Sequence, residues 1–415
     1  MRMLFVVLDG LGDRPIKELG GLTPLEAART PHLDALVRSA RVGLVHPVRR
    51  GVAPESDAGA LSLLGYRLPE EGVARGVLEA LGAGLSLEPG MLALRANFAC
   101  VVGARILDRR AGKDLGEEDG RALAEEVERA LDLAPFRARV VHTVGHRGVV
   151  LIWGPAELSG RITNMDPAYS RQGEMSLALA EAQAQVEPCR ALEPEAELSA
   201  QLVNRLYVQA MRALSDSPVN ERRRGQGKLP VNALLLRDAG TLPRSFRTVN
   251  QKFGLSFACV ASMPVEKGIA KLLGMELVPV PEEALEEKAL RALALNERHD
   301  VVYVHVKGPD EFGHRGDAAG KLRSIEEIDA RFFGTLSERG GSGSMLITSD
   351  HSTPCVLKAH SADPVPAALY REGETSSDGL QHLSERQAAY GSLGEMEGWQ
   401  LLPRALELLG LGPKR

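Results

Sequence analysis

The chain has 415 residues, 44% of them apolar and 25% charged, with a formal net charge of −5. This balance fits a globular protein of two or three domain-sized units and excludes an intrinsically disordered chain. No long basic run is present, which argues against nucleic acid as a partner.

In chain order, Met3 to Leu8 is a continuous apolar, β-rich run that stops at Asp9-Gly10. It reads as a buried parallel strand ending in a loop. The run is too short for a signal-peptide core or a membrane span, and nothing later is long and apolar enough either. Cys100, Cys189, Cys259 and Cys355 form no CxxC pair. A reduced, cytoplasmic protein without membrane attachment is therefore expected. Leu33, Leu36 and Val37 follow Thr30-Pro31, which suits a helix start. Residues 69–185 read as an inserted α+β cap domain, with short runs at Leu92–Val102, Arg139–Val144 and Val149–Trp153, and a helix over Glu117–Leu131. Glu193 to Glu197 looks like an acidic helix start. The remaining stretches, 1–68 and 186–415, would together build the main domain. Val301 to Val306 and Ser344 to Thr348 are two further apolar strands, followed by Asp310 and Asp350. Between them Leu322, Ile325, Ile328, Phe332 and Leu336 recur at helical spacing. Strands alternating with helices imply an α/β, doubly wound sheet.

In such sheets ligands bind beyond the carboxyl ends of the strands, so the three strand-end aspartates can meet despite their separation in sequence. Three histidines lie close by: His314 four residues after Asp310, His351 next to Asp350, and His360 in the following loop. A lone Asp-x-x-x-His is weak as a metal signal. Six such groups together are harder to explain otherwise, because carboxylates buried side by side need a cation. Carboxylate and imidazole suit Mn²⁺, Zn²⁺ or Co²⁺. Ser56 and Asp57 precede the helix-like stretch from Ala60 to Leu64. They read either as simple helix caps or as an anion site at a helix N-terminus.

With these residues on the page, the chain resembles the alkaline phosphatase superfamily, and within it the archaeal-type 2,3-bisphosphoglycerate-independent phosphoglycerate mutases. The likeness rests on ordered segments from the N-terminus to about residue 366, among them PESDAGALSLLGY, DRRAGK, TVGHRGVVL, NERRRGQGK, HVKGPDEFGH and ITSDHSTPCVLKAHSADPVP. The resemblance implies an alkaline-phosphatase-like sheet with an inserted cap, and two divalent ions, Mn²⁺ foremost, with Zn²⁺, Co²⁺ or Mg²⁺ as alternatives. Asp9, Asp350 and His351 would hold one ion beside the nucleophile Ser56, itself a ligand; Asp310, His314 and His360 would hold the other. No 2,3-bisphosphoglycerate is expected as cofactor. The substrate would be a small phosphoglycerate, and a homo-oligomer is left open. The clustered basic residues Arg109, Arg110, His146, Arg147 and Arg237, with Lys307 near the ions, are expected to hold substrate, since arginine's fork suits carboxylate and phosphate. The triplet at 222 to 224 is expected to include exposed members. His146 or Lys307 would serve as general acid–base.

Some positions depart from the family pattern. Glu55 stands before the serine where glycine is common, Arg67-Leu68 replaces Asp-Pro, Asn164-Met165-Asp166-Pro167 carries an insertion, and Asp238 stands where glycine is frequent. Glu55 keeps a second reading open: a metal-dependent phosphatase or phosphonate or phosphodiester hydrolase with the same ligands. A binding protein that lost its activity would show lost ligands, and none of the expected metal positions is lost.

Overall fold

The computed structural model describes residues 2–178, 185–341 and 343–411. These fall into two compact units: Met1–Glu71 with Arg247–Arg415, and Gly72–Phe246.

The first unit is built on an eight-stranded sheet. Its order is Glu276–Pro279, Phe257–Ala261, Val301–Val306, Met3–Leu8, Ser344–Thr348, Val365–Arg371, Ala40–His46 and Gly394–Glu397. Met3–Leu8 runs parallel to the Val301 strand on one side and to the Ser344 strand on the other. The three apolar runs read from sequence are thus neighbouring strands, and their carboxyl ends lie together. Continuous apolarity follows from burial on both faces. Leu4, Val6 and Leu8 pack with Leu33, Ala289, Ile325 and Phe332, while Met3, Phe5 and Val7 are buried on the opposite face. This is a doubly wound α/β sheet.

Two helices follow the expected pattern with local detail of their own. Pro31–Val37 starts at the expected proline. The run expected over 322–336 is Ala318–Ile328, then a π turn over Asp329–Phe333, then Gly334–Glu338. In that turn the Asp329 carboxylate accepts the backbone N–H groups of His32 and Leu33, at 3.2 and 2.7 Å.

The second unit is α+β. Leu92–Val102 pairs antiparallel with Arg105–Asp108, Arg147–Trp153 and Ala233–Thr241, and Arg137–His142 extends the sheet. Helices Glu117–Ala130 and Glu197–Ser215 bury Leu123, Val127, Leu202, Leu206 and Leu214 in a core shared with Leu94 and Phe98. The chain therefore returns to the first unit at Arg247, not near residue 186 as the sequence reading had it. The physical reason is the long-range pairing of Ala233–Thr241 with Leu92–Val102, which no local pattern announces. Among the described residues no helix is long and apolar enough to cross a membrane.

Candidate functional site

The carboxyl ends of three adjacent strands deliver Asp9, Lys307 and Asp350 to one place, the loop beyond Asp350 brings His351, and the first turn of the Pro309–Arg315 helix brings Asp310. Glycine permits the close approach. A Cβ on Gly59 would sit 2.1 Å from the Asp350 carbonyl oxygen, so the Ser56–Leu63 helix can lie against that loop only with glycine there. Glu55 is the residue that caps this helix, without a side-chain cap bond, and Ser56 begins its first turn. Ser56 is thus not a cap. Its Oγ lies 3.4 Å from Asp9 Oδ1 and 3.1 Å from His351 Nε2.

Two groups of donors surround it. In the buried group, His351 Nε2 is 3.3 Å from Asp9 Oδ1 and 3.5 Å from Asp350 Oδ2. In the second group, Asp310 Oδ1 lies 3.5 Å from both His314 Nε2 and His360 Nε2, and those two nitrogens are 3.1 Å apart. Ring protons decide what these contacts mean. His314 Nδ1 bonds the Lys358 carbonyl at 3.2 Å, and His360 Nδ1 bonds the Pro54 carbonyl at 2.8 Å. A carbonyl only accepts, so each Nδ1 carries a proton, and in that tautomer Nε2 is the atom each ring turns toward the other and toward a carboxylate. Donors about 2.1 Å from one tetrahedral ion lie about 3.4 Å apart, which matches these separations. The residues present therefore fit a divalent cation, with nitrogen and oxygen donors of the kind that suits Mn²⁺, Co²⁺ or Zn²⁺.

The electrostatics point the same way. Burial and the Asp9 charge push the Asp350 carboxyl well above the usual range, a cost that a cation between them removes. Burial also pushes Asp9 up, but its charged surroundings, Lys307 foremost, outweigh it and keep Asp9 ionised. Burial disfavours the Lys307 ammonium, yet Asp9 and Glu266 hold its pKa well above the ordinary lysine value. Its Nζ is 3.0 Å from Asp9 Oδ2 and 2.9 Å from Glu266 Oε1. Lys307, expected as a substrate ligand, is instead bound to the Asp9 carboxylate, and as a fixed ammonium it is a poor base.

His305 and Glu266 were missed from sequence. His305 Nε2 lies 3.7 Å from Asp350 Oδ2 and 3.8 Å from both Asp9 Oδ1 and Glu266 Oε1, and it has no hydrogen-bond partner among the described residues. A histidine inside VVYVHV, an otherwise apolar run, was the available signal. Glu266 sits in the first turn of the Pro264–Leu272 helix, and nothing local marks it.

The second unit gathers basic residues. Arg75 and Arg95 each place Nε 3.2 Å from Glu79 Oε1. Burial pushes Glu79 up, but Arg95, Arg75 and Arg147 outweigh it and lower its pKa to about 2. Arg237 bonds Asp238 at 2.9 Å and lies over the Tyr169 ring at 3.5 Å. Arg147 Nε is buried without a hydrogen-bond partner among the described residues. Burial first, then Arg147, Arg110, Arg95 and Arg237, lower His146 to about 3, so its ring is neutral at neutral pH. Arg109 is tied to Asp166 at 2.9 Å, and Arg110 is exposed. The structure thus brings His146, Arg147 and Arg237 together and adds Arg75 and Arg95, which the sequence reading missed. An arginine in the middle of the buried Leu92–Val102 strand was the overlooked signal. Of the triplet, Arg222 and Arg224 are exposed, while buried Arg223 bonds Ala111 O, Leu229 O and Asp114. Asp238 has φ +55°, a left-handed conformation that glycine adopts freely and aspartate tolerates.

Converging aspartates and histidines around a serine, at the carboxyl ends of a mostly parallel sheet, define an α/β enzyme. Comparison with known proteins gives the family. A family model described as 2,3-bisphosphoglycerate-independent phosphoglycerate mutase matches residues 38–220. The mutase of that name from Aeropyrum pernix is 40% identical, over 99% of this chain and 100% of its own length. Its counterpart from Methanopyrus kandleri is 39% identical, over 97% and 94%. A solved structure of a cofactor-independent phosphoglycerate mutase from Thermoplasma acidophilum has a TM-score of 0.67 at 32% identity, covering 98% of this chain and 99% of that one. A Pyrococcus horikoshii structure has a TM-score of 0.82 at 30% identity, covering 100% and 98%. The chain belongs to the 2,3-bisphosphoglycerate-independent phosphoglycerate mutase family, and it is an enzyme of that class.

Proposed function

We propose that the protein interconverts 3-phosphoglycerate and 2-phosphoglycerate through a phosphoserine at Ser56, using two divalent ions. Asp9, Asp350, His351 and Ser56 would hold one; Asp310, His314 and His360 would hold the other. When bound, the ions stabilise the serine alkoxide and the charge on the phosphoryl oxygens. Mn²⁺ suits this mixed donor set, as do Zn²⁺ and Co²⁺, and Mg²⁺ is a further alternative.

The observation that carries this reading is the position of Ser56 Oγ, within 3.4 Å of Asp9 and 3.1 Å of His351, on the first turn of a helix. The backbone N–H groups of that turn favour an anion. Lys307 fixes the Asp9 carboxylate from behind. In the second unit, Arg147, Arg237, Arg95 and Arg75, with Arg109 and Arg110, are the groups that would hold a glycerate carboxylate and phosphate. His146, neutral in the free protein, gains basicity once a phosphate dianion is bound near it and can then take and return a glycerate hydroxyl proton. A small-molecule substrate of central carbon metabolism and a cytoplasmic location go with this activity.

A coupled assay separates the two catalytic readings. With 3-phosphoglycerate and no added bisphosphoglycerate, the expected product is 2-phosphoglycerate. Release of free phosphate as the main product would assign the site to hydrolysis.

A further inference from the structure

One fully buried hydroxyl joins the two groups of donors. Thr353 Oγ1 lies 2.7 Å from Asp310 Oδ1 and 2.9 Å from His351 Nδ1. The Asp310 carboxylate only accepts, so the single hydroxyl proton of Thr353 points to it. The oxygen is then left to accept from His351, whose proton must sit on Nδ1. That leaves the His351 Nε2 lone pair facing Asp9 Oδ1 at 3.3 Å and Asp350 Oδ2 at 3.5 Å. His314 and His360 have their protons fixed by backbone carbonyls; His351 has its proton fixed by a side chain that also holds a ligand of the other group.

We propose that Thr353 is a positioning residue that couples the two candidate ion sites, setting the ligating tautomer of His351 on one side and the direction of the Asp310 carboxylate on the other. This rests on the two-ion reading above.

The surroundings hold that hydroxyl in place. Lys321, fully buried, donates from Nζ to Thr353 O, Gly12 O and Asp13 Oδ2, each at 2.9 Å. Asp13 in turn accepts the Cys355 N–H at 3.2 Å. The loop after Asp9 and the loop after His351 are thereby tied to one ammonium. A Cβ on Gly10 would lie 2.8 Å from Thr353 Oγ1 and 2.7 Å from Asp310 Cα. The Thr353 methyl packs on Gly313, where a Cβ would come within 2.8 Å of it. Enclosed in this way, the stiff β-branched side chain is held with its hydroxyl between Asp310 and His351. Partners of this kind, one bond removed from the ion, typically contribute about 10- to 100-fold in metal affinity.

The test is calorimetric titration of metal-free protein with Mn²⁺, comparing wild type with Thr353→Val, which removes the hydroxyl and keeps the shape, and Thr353→Ser, which keeps the hydroxyl. Wild type is expected to take two ions per chain. Thr353→Val is expected to weaken both by about 10- to 100-fold, and Thr353→Ser to restore most of the loss. Visible spectra of the Co²⁺ forms should change in the valine variant and return in the serine variant, which a purely structural loss would not produce. Melting of the metal-free proteins reports folding separately, and Thr353→Ala gives the same readout without added bulk should the valine variant fail to fold. Unchanged affinity without the hydroxyl, weakening confined to one ion, or no rescue by serine each overturns the coupling. Fewer than two ions in wild type overturns the two-ion reading itself, a failure visible before any Thr353 variant is compared.

Discussion

The Nε2 atoms of His314 and His360 face each other 3.1 Å apart, although each ring already gives its Nδ1 proton to a backbone carbonyl. Both nitrogens also lie 3.5 Å from the Asp310 carboxylate, and a cation held among the three would satisfy all of them at once.

Removing one of these donors should therefore empty one site. His314→Ala is expected to lower the affinity for one ion at least about 100-fold, more than the usual loss of a supporting partner, and to leave the other ion bound. Metal content per chain after dialysis, measured by plasma emission, checks this. Retention of two ions by the variant would remove His314 from the ligand set.

Gly59 is where the serine helix meets the Asp350 loop. A Cβ there would sit 2.1 Å from the Asp350 carbonyl oxygen and 2.9 Å from its carbon, both backbone atoms that cannot swing aside. Gly59→Ala should displace Ser56 from Asp9. The expected result is loss of turnover together with destabilisation of roughly 1–3 kcal/mol, as for other forced overpacking. Wild-type kcat and melting temperature in this variant would show that the close approach is dispensable.

The buried Glu79 carboxylate gives a pH signature in the second unit. Arg95, Arg75 and Arg147 together overcome its burial and lower its pKa to about 2, against 4.5 for an ordinary glutamate. A depressed folded-state value contributes stability that is complete above pH 4.5 and is lost as the pH falls toward 2. That difference corresponds to something on the order of 3 kcal/mol. Glu79→Gln should therefore unfold more readily in urea at pH 7, and the difference should shrink as the pH falls through about 2, where the wild-type carboxyl takes up its proton. Equal urea midpoints at pH 7 would contradict the pairing.

Much of this was legible in the chain. The runs ending at Leu8, Val306 and Thr348 announced themselves because strands buried on both faces carry no polar alternation, and the aspartates beyond them marked the edge of the sheet where the candidate site lies. The second boundary was not legible, because Ala233–Thr241 has the same apolar character wherever it pairs, and only its partner, Leu92–Val102, decides the unit. Thr353 and Lys321 were invisible for a related reason: their importance lies in which oxygens they meet, and those belong to residues about 40 and 310 positions away. Asp238 looked like a departure in sequence. In space it adopts the left-handed backbone and pairs with Arg237.

The most direct test is to trap the enzyme during turnover. Protein loaded with Mn²⁺ is mixed with ³²P-labelled 3-phosphoglycerate, quenched in acid within the first turnover, digested and mapped. The account predicts one labelled peptide, phosphorylated on Ser56, and no label in Ser56→Ala although that variant still binds metal through Asp9, Asp350 and His351. Full turnover by Ser56→Ala, or label on another side chain, would contradict it.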